Sequence, residues 1–131
     1  MAWCFEDEAT PELDRLLDQV QCDGAFVPAI WAAEVANVLL MAYRRNRIDR
    51  QAVQERQALL DMLPITFDDI AAGPVWRSSV LSLADADRLT FYDAIYLELA
   101  IRRGLPLASM DRALRRAARG HGVTVIPDGL A

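Results

Sequence analysis

Three carboxylates in this 131-residue chain stand where a charge is costly. Glu34 lies in the stripe Trp31, Val35 and Val38, so its neighbours one helical turn away are largely apolar. Asp93 has Leu89, Tyr96, Leu97 and Ala100 at similar offsets, and Asp111 opens a helix directly after an apolar segment. A charge on an apolar face costs free energy unless something pairs it. Carboxylates gathered at one place repel, raise one another's pKa, and are reconciled by a divalent cation. Ligation by oxygen alone, without His or Cys, selects Mg2+ or Mn2+ over zinc. Each residue also has a structural explanation. Asp93 can complete a capping box with Thr90, Asp111 can be a plain N-cap, and Glu34 can complement its helix dipole. The two readings separate on whether the elements bring the three carboxylates together.

The pattern alternates amphipathic helices with short apolar segments. Thr10-Pro11-Glu12 starts a helix striped by Leu13, Leu16, Leu17 and Val20, and Asp23-Gly24 ends it. Ala25 to Pro28 reads as a buried strand, followed by a helix from about Ala29 to Arg45, a turn at Asn46 to Asp49, and a helix to about Leu63. Pro64 to Phe67 is a second strand. Asp69 to Leu83 is helical with a break at Gly73-Pro74, and Asp85 and Asp87 fall in a solvated loop. Thr90 caps the helix Phe91 to Arg103, which Gly104 ends. Leu105 to Ser109 is a strand, Asp111 to Arg119 a helix, and Val123 to Ile126 a last strand after the turn Gly120-His121-Gly122. Strands alternating with helices specify an α/β domain with a mainly parallel sheet flanked by helices. In such a sheet, Glu34, Asp93 and Asp111 all fall at the C-terminal edge of the strands, where open α/β sheets bind ligands.

Composition narrows the classes. Two cysteines, Cys4 and Cys22, make no disulfide framework and no CxxC pair, which excludes a secreted knot and a structural zinc site. The acidic N-terminus lacks the pattern of a secretion signal, so the cytoplasm is expected. The longest apolar stretch, Ala29 to Tyr43, is interrupted by Glu34 and Asn37 and falls short of a membrane span. Net charge is −5, every basic residue is Arg, and six of the 14 lie after residue 99, at 102, 103, 112, 115, 116 and 119. A net acidic chain is poorly suited to coating nucleic acid non-specifically, whereas a local Arg cluster can grip phosphates. There is no GxGxxG, P-loop or GxSxG, and neither cysteine has an evident base. The sole histidine, His121, sits in a turn, and Glu98 and Arg102 form an ordinary helix pair.

Thr90-Phe91-Tyr92-Asp93-Ala94-Ile95-Tyr96-Leu97-Glu98, with Leu107-Ala108-Ser109-Met110-Asp111-Arg112 after it, closely resembles the C-terminal half of PIN domains, in particular the VapC-type toxins of bacterial toxin–antitoxin pairs. Trp31 to Leu39 is similar to the central acidic helix of that family, and Ala2 to Glu8 to the segment just after its first strand. The resemblance spans essentially the whole chain and implies a three-layer α/β/α fold over residues 1–131 as one domain. It implies a Mg2+-dependent endoribonuclease (Mn2+ being the alternative ion), acting on structured RNA of the tRNA or rRNA class. It assigns Glu34, Asp93 and Asp111 to the metal cluster, and Ser109 and Asn37 to ordering the site. Arg112, Arg115 and Arg116 become candidate phosphate contacts. A cognate antitoxin and a homodimer are the implied partners, with Leu40, Met41 and Tyr43 as interface candidates.

One departure alters the expectation. The family opens with a central strand ending in an Asp that is usually the first metal ligand, and this chain resembles the family only from beyond that point. Glu6, Asp7 and Glu8 approach a helix rather than end a strand. The reading is therefore of a domain N-terminally incomplete relative to the family, with a gap in the middle of its sheet. Its alternative is a catalytically impaired PIN-like module that binds antitoxin or RNA without cleavage.

Overall fold

The computed structural model describes residues 1–3, 11–69 and 73–129. Cys4, Glu6, Asp7, Glu8, the Thr10 cap and residues 70–72 of the expected fourth helical segment lie outside them. In chain order the elements are β1 (Ala2–Trp3), α1 (Pro11–Asp23), β2 (Ala25–Val27), α2 (Ile30–Arg44), α3 (Arg50–Asp61), β3 (Ile65–Phe67), α4 (Pro74–Asp87), α5 (Phe91–Arg103), β4 (Leu107–Ala108), α6 (Arg112–Gly120) and β5 (Val125–Ile126).

The five strands form one sheet in the order β3-β2-β1-β4-β5, and every pairing is parallel. The gap expected at its centre is not found, because Ala2 and Trp3 occupy that position. Ala2 pairs with Phe26 on one side and Leu107 on the other, and its N–H donates to Pro106 O at 2.8 Å. Both residues are fully buried, and their backbone satisfies groups of β2 and β4 that would otherwise be orphaned in the core. Ala2 and Trp3 belong to an apolar run from Met1 to Phe5, which the resemblance placed after the family's first strand rather than in one.

Right-handed crossovers of this strand order put α1, α2 and α3 on one face and α4, α5 and α6 on the other. On the first face Trp3 packs against Trp31 at 5.6 Å between ring centroids, and Trp31 against Phe67 at 6.1 Å. Leu16, Val20, Val27 and Leu39 fill the rest of that layer. On the second, Tyr96, Leu97 and Leu99 of α5 and Leu114 of α6 meet Leu107, while Val80, Ala84, Ala94 and Ile95 close the α4–α5 hairpin. Gly24 turns α1 into β2 at φ +74, and a Cβ there would meet Pro64 O at 3.1 Å.

Two further expectations are corrected. Pro74 is the first residue of α4, and the helix runs on to Asp87, so Asp85 and Asp87 are helical rather than in a loop. Pro at a first helical position loses no bond, and Arg88 in the left-handed region provides the stop. Asp87 then accepts His121 Nε2 at 2.7 Å, which ties α4 to the end of α6. β4 begins at Leu107 rather than Leu105, because Pro106 has no N–H for the ladder.

Candidate metal centre

Since all strands run one way, their C-terminal ends share an edge, and α2 and α6 start there, directly after β2 and β4. Glu34 is in the second turn of α2, after β2. Asp93 is in the first turn of α5, where the Thr90 hydroxyl accepts its backbone N–H at 3.1 Å. Asp111 caps α6 directly after β4, its Oδ1 accepting the Leu114 N–H at 2.8 Å. The capping roles offered by the sequence for Thr90 and Asp111 are thus real, and Asp111 keeps its second carboxylate oxygen, Oδ2, beyond the cap bond.

Asp93 senses the charge of Asp111. The Asp93 carboxyl is half-buried, and its pKa is raised above the usual carboxylate range, first by burial and then by the charge of Asp111; a hydrogen bond with Thr90 offsets part of this. Glu34 is joined to the same helix one turn further on, because the buried Tyr96 hydroxyl donates to Glu34 Oε1. Asp93 therefore feels the charge of Asp111, and Glu34 is tethered to the helix that carries Asp93. Among the described residues, however, no group of three or more His, Cys, Asp or Glu side chains is close enough to hold a metal ion. The donor set fits a hard divalent cation through Asp93 and Asp111, whose mutual repulsion such an ion would relieve. It does not form a closed three-carboxylate cage.

The other expected site residues divide. Ser109 is fully buried, and its hydroxyl accepts the Asp111 N–H at 3.0 Å. Asn37 is exposed, one turn beyond Glu34 on α2. Arg112 and Arg116 are exposed on α6, which Asp111 caps. Arg115 is not, and its expected role as a phosphate contact is corrected. It is 0% exposed and donates to Ser109 O at 2.9 Å and Pro127 O at 2.6 Å. In α6 it lies between the buried positions Leu114 and Ala118, on the face turned to the sheet rather than to solvent.

Sequence reasoning missed two participants. Tyr96 read as part of an apolar face, although its hydroxyl needs a partner when buried. Asp68, just beyond β3, is buried and held by Arg102 and by Arg103, whose Nη2 lies 2.8 Å from its Oδ1. Burial alone would raise the Asp68 carboxyl, but hydrogen bonds from Arg102 and Arg103 outweigh it and hold the pKa below the usual range. An acid directly after a predicted strand is the signal that singled out Asp111, and it applied to Asp68 too. Arg103 also lies over the Phe26 ring at 4.7 Å, and Arg102 continues to Glu98 at 2.7 Å, so α5 is pinned to β2 and β3.

A family model for the PIN domain matches residues 1–120 of the chain. Four solved chains match significantly. One of them, PAE2754 from Pyrobaculum aerophilum, superposes with a TM-score of 0.64 at 25% identity, over 86% of this chain and 72% of that one. No curated protein matches the sequence significantly.

Proposed function

The chain belongs to the PIN-domain family, whose members are generally metal-dependent nucleases, and on that premise we propose that it is a Mg2+- or Mn2+-dependent endoribonuclease. We read it as the toxin of a type II toxin–antitoxin pair, hydrolysing phosphodiester bonds in structured RNA of the tRNA or rRNA class. The observation that carries the reading is the placing of Asp93, in the first turn of α5, and Asp111, the cap of α6, where the half-buried Asp93 feels the charge of Asp111. A purely structural pair of caps gains nothing from that proximity. Asp93 and Asp111 would hold the cation. When bound, such an ion neutralises charge at the phosphate and activates the attacking water. Ser109 fixes Asp111 through its backbone N–H, and Tyr96 fixes Glu34 at the rim, with Asn37 one turn on. Arg112 and Arg116, exposed on α6, would bind phosphates flanking the scissile bond.

The antitoxin and a second copy of the chain are the proposed partners. An open apolar groove of about 280 Å³ lined by Leu39, Leu40, Tyr43 and Val53 lies between α2 and α3 and offers surface for them. No helix among the described residues is long and apolar enough to cross a membrane.

A second reading, a PIN-like module that binds without cutting, draws on the absence of a three-carboxylate group among the described residues. Incubation of the chain with total RNA and Mg2+ decides between them. Discrete fragments that EDTA suppresses and Asp111→Asn abolishes are expected. RNA retention with no cleavage at any Mg2+ or Mn2+ concentration supports the binding module instead.

A further inference from the structure

A guanidinium taken wholly out of water is expensive unless its donors are used, and Arg115 directs both terminal nitrogens to backbone carbonyls. Its Nη1 donates to Ser109 O at 2.9 Å and its Nη2 to Pro127 O at 2.6 Å. Ser109 follows β4 and Pro127 follows β5, so one side chain holds the exits of two neighbouring strands. The backbone joins them as well, Ser109 N donating to Ile126 O at 3.1 Å. From Ser109 the chain of contacts continues to the site. Its hydroxyl accepts the Asp111 N–H at 3.0 Å, and Asp111 Oδ1 is taken by the Leu114 N–H at 2.8 Å. The direction of the remaining Asp111 oxygen is therefore set by a loop whose position is set by Arg115. The planar fork suits this, since it reaches two carbonyls from separate nitrogens, whereas the three donors of an ammonium radiate from one atom.

We propose that Arg115 is a positioning residue for the metal centre, acting through Ser109 to hold the Asp111 carboxylate in its working orientation. The proposal rests on the functional reading above in one respect, that Asp111 holds a cation. It makes Arg115 unlike its neighbours Arg112 and Arg116, which face solvent. Side chains that orient a metal-binding residue act on affinity for the ion, whereas phosphate contacts act on affinity for RNA.

The test compares the full chain with Arg115→Met, Arg115→Lys and Arg116→Ala. It uses Mn2+ titration, amide hydrogen exchange without metal, and steady-state cleavage of RNA. Arg115→Met is expected to weaken Mn2+ binding by roughly 10-fold or more and to lower kcat with KM for RNA nearly unchanged. It should also speed exchange of the Asp111 and Leu114 amides by about 10-fold while leaving the interior of α5 protected. Arg115→Lys should fall between Met and wild type, and Arg116→Ala should raise KM alone. Wild-type Mn2+ affinity and wild-type exchange in Arg115→Met overturn the proposal, as does a rise in KM alone. Should Arg115→Met not fold, Arg115→Lys carries the decision, because wild-type values there overturn the proposal and faster exchange supports it. Should wild type bind no Mn2+, the nuclease reading fails separately, and the exchange rates still decide whether Arg115 positions Asp111.

Discussion

Asp93→Asn separates a metal-holding carboxylate from a helix-capping one, because the two roles predict opposite signs. Without metal, wild type keeps a half-buried charge whose pKa is raised by burial and by Asp111. A carboxyl raised in the folded state makes that state bind its proton more tightly, so the native protein loses stability as pH rises from the unfolded value, about 3.9, through the folded one. Asn removes that charge and keeps the backbone bond to Thr90, so the apo variant should melt at or above wild type at pH 7 and converge with it in acid. Mn2+ reverses the order. At a concentration 100 times its Kd, an ion that binds only the native state contributes about 2.7 kcal/mol, which for a domain of this length is a rise of about 8–11 °C in Tm. In Asp93→Asn, where only Asp111 remains of the interacting pair, the rise should shrink to about 3 °C or less at the same concentration. The assay is thermal denaturation of EDTA-treated protein across an Mn2+ series at pH 7, repeated near pH 4. A lower apo Tm combined with a full Mn2+ response would show that Asp93 is a cap, and the electrostatic reasoning would be wrong.

Two further substitutions probe the frame around the site. Asp68→Asn leaves Arg102 and Arg103 facing a neutral amide; because both arginines are about a quarter exposed, the loss should be about 2–3 kcal/mol rather than the full cost of a dry ion pair. Since the folded pKa of Asp68 is lowered, that contribution is complete above the unfolded carboxyl value and disappears as pH falls through the folded one, so urea unfolding of wild type and variant should converge in acid and stay apart at pH 7. Tyr96→Phe keeps the buried ring and removes the donor to Glu34, with an expected loss of about 1–2 kcal/mol and a lower kcat at unchanged KM. An unchanged urea midpoint in that variant would mean the α2–α5 tether contributes nothing.

Much of this protein was legible in the order of its residues. Helix boundaries set by local chemistry, such as the Thr90 cap and Gly104 stop of α5, depend on neighbours within a turn and are recorded in the sequence. So is the start of α2 and of α6, with Glu34 and Asp111, at the edge where β2 and β4 end, because a helix that leaves a parallel strand begins there. What the sequence could not decide were matters of partner choice. Ala2 and Trp3 are a strand only because β2 and β4 flank them with open backbone groups, a fact that two residues cannot encode by periodicity. Arg115 and Arg116 are adjacent and chemically identical, yet one grips two strand exits while the other meets water; only the docking of α6 against β4 and β5 tells them apart. Tyr96 and Asp68 likewise took their roles from side chains 62 and 34 positions away in the chain. Residue type and spacing determined which groups were available for chemistry, and tertiary packing determined which of them meet, since burial and pairing energies depend on distance in space and not on distance along the chain.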